Sequence, residues 1–446
     1  MELIEIASKS SSDLKETNKA RPFNPFLCAA SEGMRALLLE VQQQLEGYES
    51  HYEVRTRARK VVDQETFERI LESLICDLCI SVLQPQYDAI HLPLSNKVLR
   101  SKSRYKGLAL GKTLPNIIDV LIAEEMGFAG LKKGYSEFKI GDENLNIAFA
   151  GGQQSTLWAG EKLLSRIKRF DITYDDIKQD ETEEVIIVRA VKEKAETKGK
   201  LVEYIDTNET NNLRDEIKEI NSWLQDANIS NDQSALNSND RRLRRIFNNS
   251  DITHGGRLYG GFWQYMTSTD RLGHILIDCE SVIELDYGQM SLMILYGMVG
   301  ERPEEGDLYD LTTYGISNKY RKGIKKCIQA IINSSRIPSK VPKGTRKLLP
   351  ARCSMSEILR AVQLKHSPIY SLMTSDKGME LFRKESDILV DVLLLLKGKG
   401  IVALPIHDAV IVKEEDKQET IIVMKDVFKV HTGLTPNVTL DKLLDK

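Results

Sequence analysis

Two acids stand alone in apolar surroundings. Asp286 interrupts HILIDCESVIELDYGQMSLMILYGMVG, residues 274 to 300, and Asp408 lies within GIVALPIHDAVIVKEE, residues 400 to 415. The neighbours of Asp286 (Ile283, Leu285, Met290, Leu292 and Ile294) suit a buried strand turning into a buried helix, where an unpaired carboxylate is costly. Such an acid either caps the helix by accepting backbone N–H bonds or holds a metal ion. IVALPI and AVIV are β-rich runs, so a tight hairpin places His407 and Asp408 at its tip. Two carboxylates on adjacent strand ends could hold two Mg2+ ions, or Mn2+ in their place. Such a pair activates a hydroxyl and stabilises a leaving pyrophosphate. Taken singly, each acid is by default a turn residue.

Other charges lie between and before these acids. In YRKGIKKCIQAIINSS, Arg321 and Lys325 are four apart and share one helical face, so both can reach one polyphosphate; alone, the segment reads as a solvated basic face. RRLRRIFNNSDITHGGRLYGGFWQYM sets Arg241, Arg242, Arg244 and Arg245 before a glycine-rich stretch carrying Arg257, Tyr259, Phe262 and Trp263. Arginines supply phosphate contacts, aromatics supply stacking faces, and glycines let the backbone approach a polymer. The bland alternative is a glycine-rich turn over an apolar patch. GMELFRKESDILVDVLLLL is a periodic helix whose core stripe is Leu381, Phe382, Ile388, Leu389, Val392 and Leu396.

A chain of 446 residues has room for two or three domains. Its six dispersed cysteines fit a reducing compartment, and Cys76 and Cys79 fall on the apolar face of one helix, where they read as buried thiols. The first residues lack a continuous apolar stretch. The longest apolar run, ILVDVLLLL, contains Asp391 and is half the length that spans a bilayer. These features lead to the expectation of a soluble cytoplasmic protein without a membrane segment. A net charge of −3 and pI near 6.3 give no global nucleic-acid signature, so any basic surface must be local.

Residues 30 to 85 read as two helices. TLPNIIDVLIAEEMGF reads as a third, with Thr113 as N-cap, followed by strand YSEFKI, turn GDEN and strand NLNIAFA. A helix, a turn and a two-stranded wing resemble a winged helix-turn-helix, edged by Lys97, Arg100, Lys102, Arg104, Lys106, Lys112, Lys132 and Lys133. The alternative is an ordinary α+β subdomain with a solvated basic face. EEVIIVRAV and GKLVEYI read as paired strands around KEKAETKG, LRDEIKEINSWL as an amphipathic helix, and NISNDQSALNSND as a linker. YIDTNET has a faint likeness to a proofreading exonuclease motif, but its acids are misspaced and lack partners. The expected organisation is a helical, winged-helix-like DNA-binding domain over 1–170, a connecting segment over 171–240 and a catalytic domain over 241–446.

The order of the pieces is more specific than any one of them. GGRLYGGFWQ, ELDYGQMSLMILYGMVG, GDLYDLTT, R-x3-K, Glu385-Ser386-Asp387 and LPIHDAV together resemble the palm and fingers of family A DNA polymerases over about residues 241 to 430. The resemblance implies an α+β fold: a right-hand polymerase palm with an antiparallel sheet and helical fingers, preceded by the helical, winged-helix-like domain. It assigns the metals to Asp286 and Asp408, the triphosphate to Arg321 and Lys325, and the sugar's border to Tyr287 and Ser291. His407 goes to the primer end, and Arg257 and Trp263 go to the template. The implied partners are a DNA template, a primer and nucleoside triphosphates.

Three departures stand out. Asn333-Ser334 lies near the place of the tyrosine that follows R-x3-K in the family, Ala409 replaces an acid, and Ser291 replaces the glutamate that crowds the sugar's 2′ position. GGRLY is also similar to a segment of single-subunit phage RNA polymerases. The expectation is a DNA polymerase without proofreading, of the divergent sort found on phages, plasmids and integrated elements, with a loose sugar gate at Ser291. The alternatives are an RNA polymerase or primase on the same palm, or a DNA-binding replication factor whose polymerase-like half is inactive.

Overall fold

A computed structural model describes residues 19–84, 86–140, 147–193, 197–232 and 236–441. The chain forms two compact units, Met1–Glu184 with Gln233–Asn239, and Val185–Asp232 with Asp240–Lys446. The expected connecting segment over 171–240 is therefore shared between the units. Its amphipathic helix buries Leu213, Ile217, Ile220 and Leu224 in the second unit.

The first unit runs β1 (Ala20–Pro22), β2 (Leu27–Ala29), α1 (Glu32–His51), α2 (Val61–Leu83), β3 (Ala89–Leu92), α3 (Asn96–Arg100), α4 (Leu114–Leu121), β4 (Ala129–Lys132), β5 (Tyr135–Ile140), β6 (Ile147–Gln153), β7 (Ser155–Ala159), α5 (Glu161–Arg169) and β8 (Ile177–Gln179). Ser31 starts α1 by accepting the Met34 N–H at 3.1 Å, a typical cap. Strand order is β1-β3-β7-β4, and the β5–β6 hairpin is inserted between β4 and β7. Helix, strand, two helices, strand, hairpin and strand thus follow one another from α2 to β7; the GDEN turn lies outside the described residues.

Helix α4 is shorter than its apolar period suggests. Gly127 (φ 57°) turns the chain back, and the Phe128 N–H donates to the Leu121 carbonyl at 3.0 Å. Thr113 is itself helical and makes no side-chain cap. Among the basic residues, Lys97, Arg100, Lys102, Lys112, Lys132 and Lys133 are exposed. Lys106 instead closes α3 by donating to the Leu99 and Ser101 carbonyls at 2.8 and 2.9 Å, and Arg104 faces Glu184 at 3.5 Å. Cys76 and Cys79 are buried, and burial pushes both thiols up.

The second unit runs β9 (Ile186–Val188), α6 (Asn208–Asp226), β10 (Ile229–Asn231), β11 (Arg244–Asn248), β12 (Asp251–Tyr259), α7 (Ser268–His274), β13 (Ile275–Ile277), β14 (Glu280–Gly288), α8 (Met290–Val299), α9 (Arg321–Ile332), α10 (Met355–Lys365), α11 (Tyr370–Met373), α12 (Gly378–Gly398), β15 (Leu404–Ile406), β16 (Ala409–Lys413), α13 (Lys417–Thr432) and β17 (Asn437–Asp441). β9 pairs in parallel with β11, and its end meets the GKLVEYI run antiparallel at the Arg189–Leu201 bridge, where the Val202 N–H donates to the Val188 carbonyl at 2.9 Å and the Ala190 N–H to the Lys200 carbonyl at 2.8 Å. The expected pairing is thus present as a short antiparallel contact of Val188–Ala190 with Lys200–Val202. YIDTNET begins α6: Thr207 caps it by accepting the Thr210 N–H, and Asp206 pairs with Arg214 at 2.6 Å. Part of the expected linker is strand β10.

The main sheet has the order β10-β13-β14-β16-β15, with β17 also on β14. Side chains alternate along β14, so Ile283, Leu285 and Tyr287 are buried while Glu284, Asp286 and Gly288 are half-open on the other face. α13 packs on the buried face, and α8 and α12 pack with it. α8 carries apolar side chains around most of its circumference, which suits its position.

Candidate functional site

The β15–β16 pairing sets Ile406 opposite Ala409, leaving His407 and Asp408 as the two turn residues. His407 takes φ 56°, as a tight two-residue hairpin requires. β16 in turn pairs with β14, so Ala409 stands opposite Asp286, and the Tyr287 N–H donates to the Asp408 carbonyl at 3.2 Å. Asp286 therefore lies near the end of β14, beside the hairpin turn that carries Asp408 and one residue out of register with it. Asp286 is not the cap, because Gln289 (φ 67°), the residue directly after the end of β14 at Gly288, takes the N-cap position of α8. Glu284, the other acid on this face of β14, is held by Arg271 at 2.8 Å.

A third acid comes from α12. Glu385 is buried, accepts the Ser291 hydroxyl at 2.6 Å and pairs with Arg257 at 2.6 Å. Its pKa is raised by burial, opposed by Arg257 and by the Ser291 hydrogen bond, and raised further by Asp408. The next residue binds the glycine turn of β12, and the one after it binds two arginines. Ser386 donates to the Gly256 carbonyl, while Asp387 pairs with Arg245 and Arg383. Gly255 and Gly256 take φ 88° and 82°, values that favour glycine, and this bulge re-aims the strand before Arg257.

Arg321 and Lys325 do share a face. Their charges stand 5.2 and 5.8 Å from the centre of the Tyr309 ring. Asp307 fixes the Arg321 guanidinium through two hydrogen bonds, 2.5 and 3.1 Å long, and raises its pKa. The Tyr309 hydroxyl is pushed up to about 12 by burial, lowered by the Gln329 hydrogen bond and by Arg321, and raised by the charges of Asp408 and Glu385. Arg321, Asp408 and Glu385 thus all act on the one Tyr309 hydroxyl. His407 is exposed at the turn with its ring edge-on to Tyr259, centroids 6.4 Å apart. Crowding at the hairpin and then Arg257 lower its pKa, against Asp408.

Several expected site residues serve the framework instead. Tyr287 is in the core: strand alternation turns it away from Asp286, its hydroxyl donates to the Met424 carbonyl at 2.6 Å, and burial raises its pKa well above the usual range. Trp263 is fully buried beneath the hairpin, its indole N–H donating to the Pro405 carbonyl at 2.8 Å, so it supports the His407 turn and offers no face to a template. Arg257 lies over the Phe382 ring at 3.8 Å and is paired with Glu385. Arg241 donates to the carbonyls of Leu224, Ala227 and Ile229, and Arg245 is buried against Gly256 and Asp387; both tie backbone together. Ser291 is buried, and the room its short side chain leaves is taken by Glu385.

Glu385, Tyr309 and Asp307 are the residues of this cluster that the sequence alone left without a role. Each sits in a segment already singled out, but its partner lies on a different element, and no local spacing signals that pairing. Among the described residues, no group of three or more His, Cys, Asp or Glu side chains is arranged to hold a metal ion. Asp286 and Asp408 offer hard oxygen donors only. They fit Mg2+, which binds through one or two carboxylates and completes its shell from water and substrate phosphates. No helix among the described residues is long and apolar enough to cross a membrane.

No known protein family matches the sequence, and no curated protein does. Among solved structures, the chain is similar to the polymerase domain of Pol1 from M. smegmatis, determined with DNA primer-template and dNTP. The identity is 10% and the TM-score 0.32, over 52% of this chain and 50% of that one. The match thus spans half the length of that chain.

Proposed function

We propose that the second unit carries out template-directed nucleotidyl transfer, as a DNA polymerase of family A type without a proofreading exonuclease. One observation supports this most: residues scattered from Asp286 to Asp408 converge. Asp286 lies on β14 beside the hairpin turn that carries Asp408, and Arg321 and Lys325 stand over one ring whose hydroxyl is acted on by the Asp408 charge. In this reading Asp286 and Asp408 bind two Mg2+ ions, which would activate a primer hydroxyl and offset charge on the departing pyrophosphate. Arg321, oriented by Asp307, and Lys325 hold the triphosphate. His407 borders the primer end.

The first unit grips duplex DNA in the same reading. The α2-to-β7 connectivity and the exposed Lys97, Arg100, Lys102, Lys132 and Lys133 support it. Primer extension with labelled dNTPs and rNTPs, on primed and unprimed templates, tests the whole. Asp286→Asn and Asp408→Asn should each lower incorporation at least about a thousandfold while melting with the wild type. Full activity in either variant refutes the assignment, and rNTP incorporation without a primer points to a primase.

A further inference from the structure

Charge along the chain is very uneven. From Leu311 to Ser356 there is no acid, yet the stretch Lys319 to Arg352 holds eleven Lys and Arg. The whole chain has 62 basic and 65 acidic residues, so without those eleven it has 51 against 65, a net −14. Eleven of the chain's 62 basic residues thus fall in one segment that holds no acid.

The fold makes that segment a surface. α9 buries Ile324, Cys327, Ile328, Ile331 and Ile332 on one side, and sets Lys322, Lys325 and Lys326 on the solvent side. The chain after α9 then folds back over it. Gly323 has no side chain where the Leu348 carbonyl passes, and Thr345 and Leu349 are buried as anchors. That return places Lys347 and its neighbours beside the first turns of α9. Among the described residues, Lys322, Lys326, Arg336, Lys340, Lys343 and Lys347 are exposed and have no acidic partner.

We infer that this surface docks the phosphate backbone of a nucleic-acid strand, independently of nucleotide chemistry. Unpaired cations on an otherwise acidic chain suit a polyanion, and phosphate contacts gain from counterion release. An acidic membrane fits less well. Interfacial binding needs an apolar face beside the cations, whereas the apolar face of α9 is buried and Ile337 is the segment's one exposed large hydrophobic residue. The inference goes beyond the proposed reaction and does not depend on it.

The test uses the full chain in EDTA without nucleotides, with a fluorescein-labelled twenty-nucleotide DNA, single-stranded and duplex, read by anisotropy across a salt series. Lys340→Gln/Lys343→Gln/Lys347→Gln should weaken binding at least about tenfold and flatten the slope of log K against log salt by about two, given roughly 0.7–0.9 per phosphate contact. Lys322→Gln/Lys326→Gln should act in the same direction. Arg55→Gln/Arg57→Gln/Lys60→Gln, which removes three exposed charges from the first unit, should change binding less than about twofold. All three variants alter exposed side chains, and equal melting temperatures confirm the fold. No binding by the wild type, no loss in the triple variant, equal loss in the control, or binding to phosphatidylserine vesicles without binding to DNA overturns the inference. Binding as described by a protein that extends no primer leaves it standing and removes the polymerase reading. Primer extension with unchanged DNA binding in the triple variant does the reverse.

Discussion

Replacing Glu385 by Ala leaves Ser291 and Arg257 without their shared acceptor. Glu385 is 3% exposed, and both contacts to it are 2.6 Å long. Breaking a buried ion pair by removing one partner costs about 3–5 kcal/mol. The Arg257 side chain is 26% exposed and can turn partly to solvent, which favours the lower end, about 3 kcal/mol. For a unit of this size, about 2–4 °C per kcal/mol converts that to a drop of roughly 6–12 °C in melting temperature. Glu385→Gln keeps an acceptor for Ser291 and should lose less.

An exchange of the two side chains gives a sharper test. Ser291→Glu alone sets a second carboxylate beside Glu385, and two such charges at contact distance cannot both stay ionised at no cost. Ser291→Glu with Glu385→Ser should recover stability that neither single variant has, with a coupling of about 0.5–3 kcal/mol in the double-mutant cycle. Under the proposed reaction the same pair governs the sugar. In that reading the Glu385 carboxylate, delivered from α12 onto Ser291, would stand in for the glutamate expected at Ser291 and close the gate from another direction. Glu385→Ala should then shift the dNTP-to-rNTP ratio of kcat/KM toward rNTPs by up to about a hundredfold, and Ser291→Ala far less. Additive stabilities in the cycle, or an unchanged ratio in Glu385→Ala, would refute the reasoning.

Three more outcomes are expected. Arg321→Ala and Lys325→Ala should weaken nucleotide binding more than template binding, with Arg321 the larger loss because Asp307 orients it; equal losses in a titration of each ligand would move α9's role to the DNA. His366 is buried between the Tyr296 hydroxyl and the Leu308 carbonyl, and burial lowers its pKa to about 4 from 6.5. The folded state disfavours its proton, so stability is complete above pH 6.5 and falls toward pH 4 by on the order of 3 kcal/mol, a dependence that denaturant melts of His366→Gln should lack. Finally, Lys97→Gln/Arg100→Gln/Lys102→Gln should lower duplex affinity and flatten its salt slope, whereas Lys106→Gln should chiefly lower the melting temperature, since Lys106 caps α3.

The helices and the hairpin were legible because one periodic face dictates each. α1, α2, α9 and α12 follow their apolar stripes, and His407-Asp408 falls between two β-rich runs with only two residues to make a turn. What composition alone could not tell is which polar or aromatic groups are already committed. Trp263 and Tyr287 looked available because they sit among glycines or beside an acid, yet each is buried and uses its donor on a backbone carbonyl over a hundred residues distant. Arg241 and Arg245 belong to a run that reads as a phosphate patch, but backbone carbonyls and Asp387 take up their donors. The basic segment around α9 shows the opposite case. Its lysines have no acid within the segment to pair with, and among the described residues the fold brings none to them, so the lack of acids between Asp310 and Glu357 was the sequence signal of a surface left open. For an isolated arginine, therefore, charge predicts little about exposure, whereas a long segment lacking one sign of charge predicts a good deal.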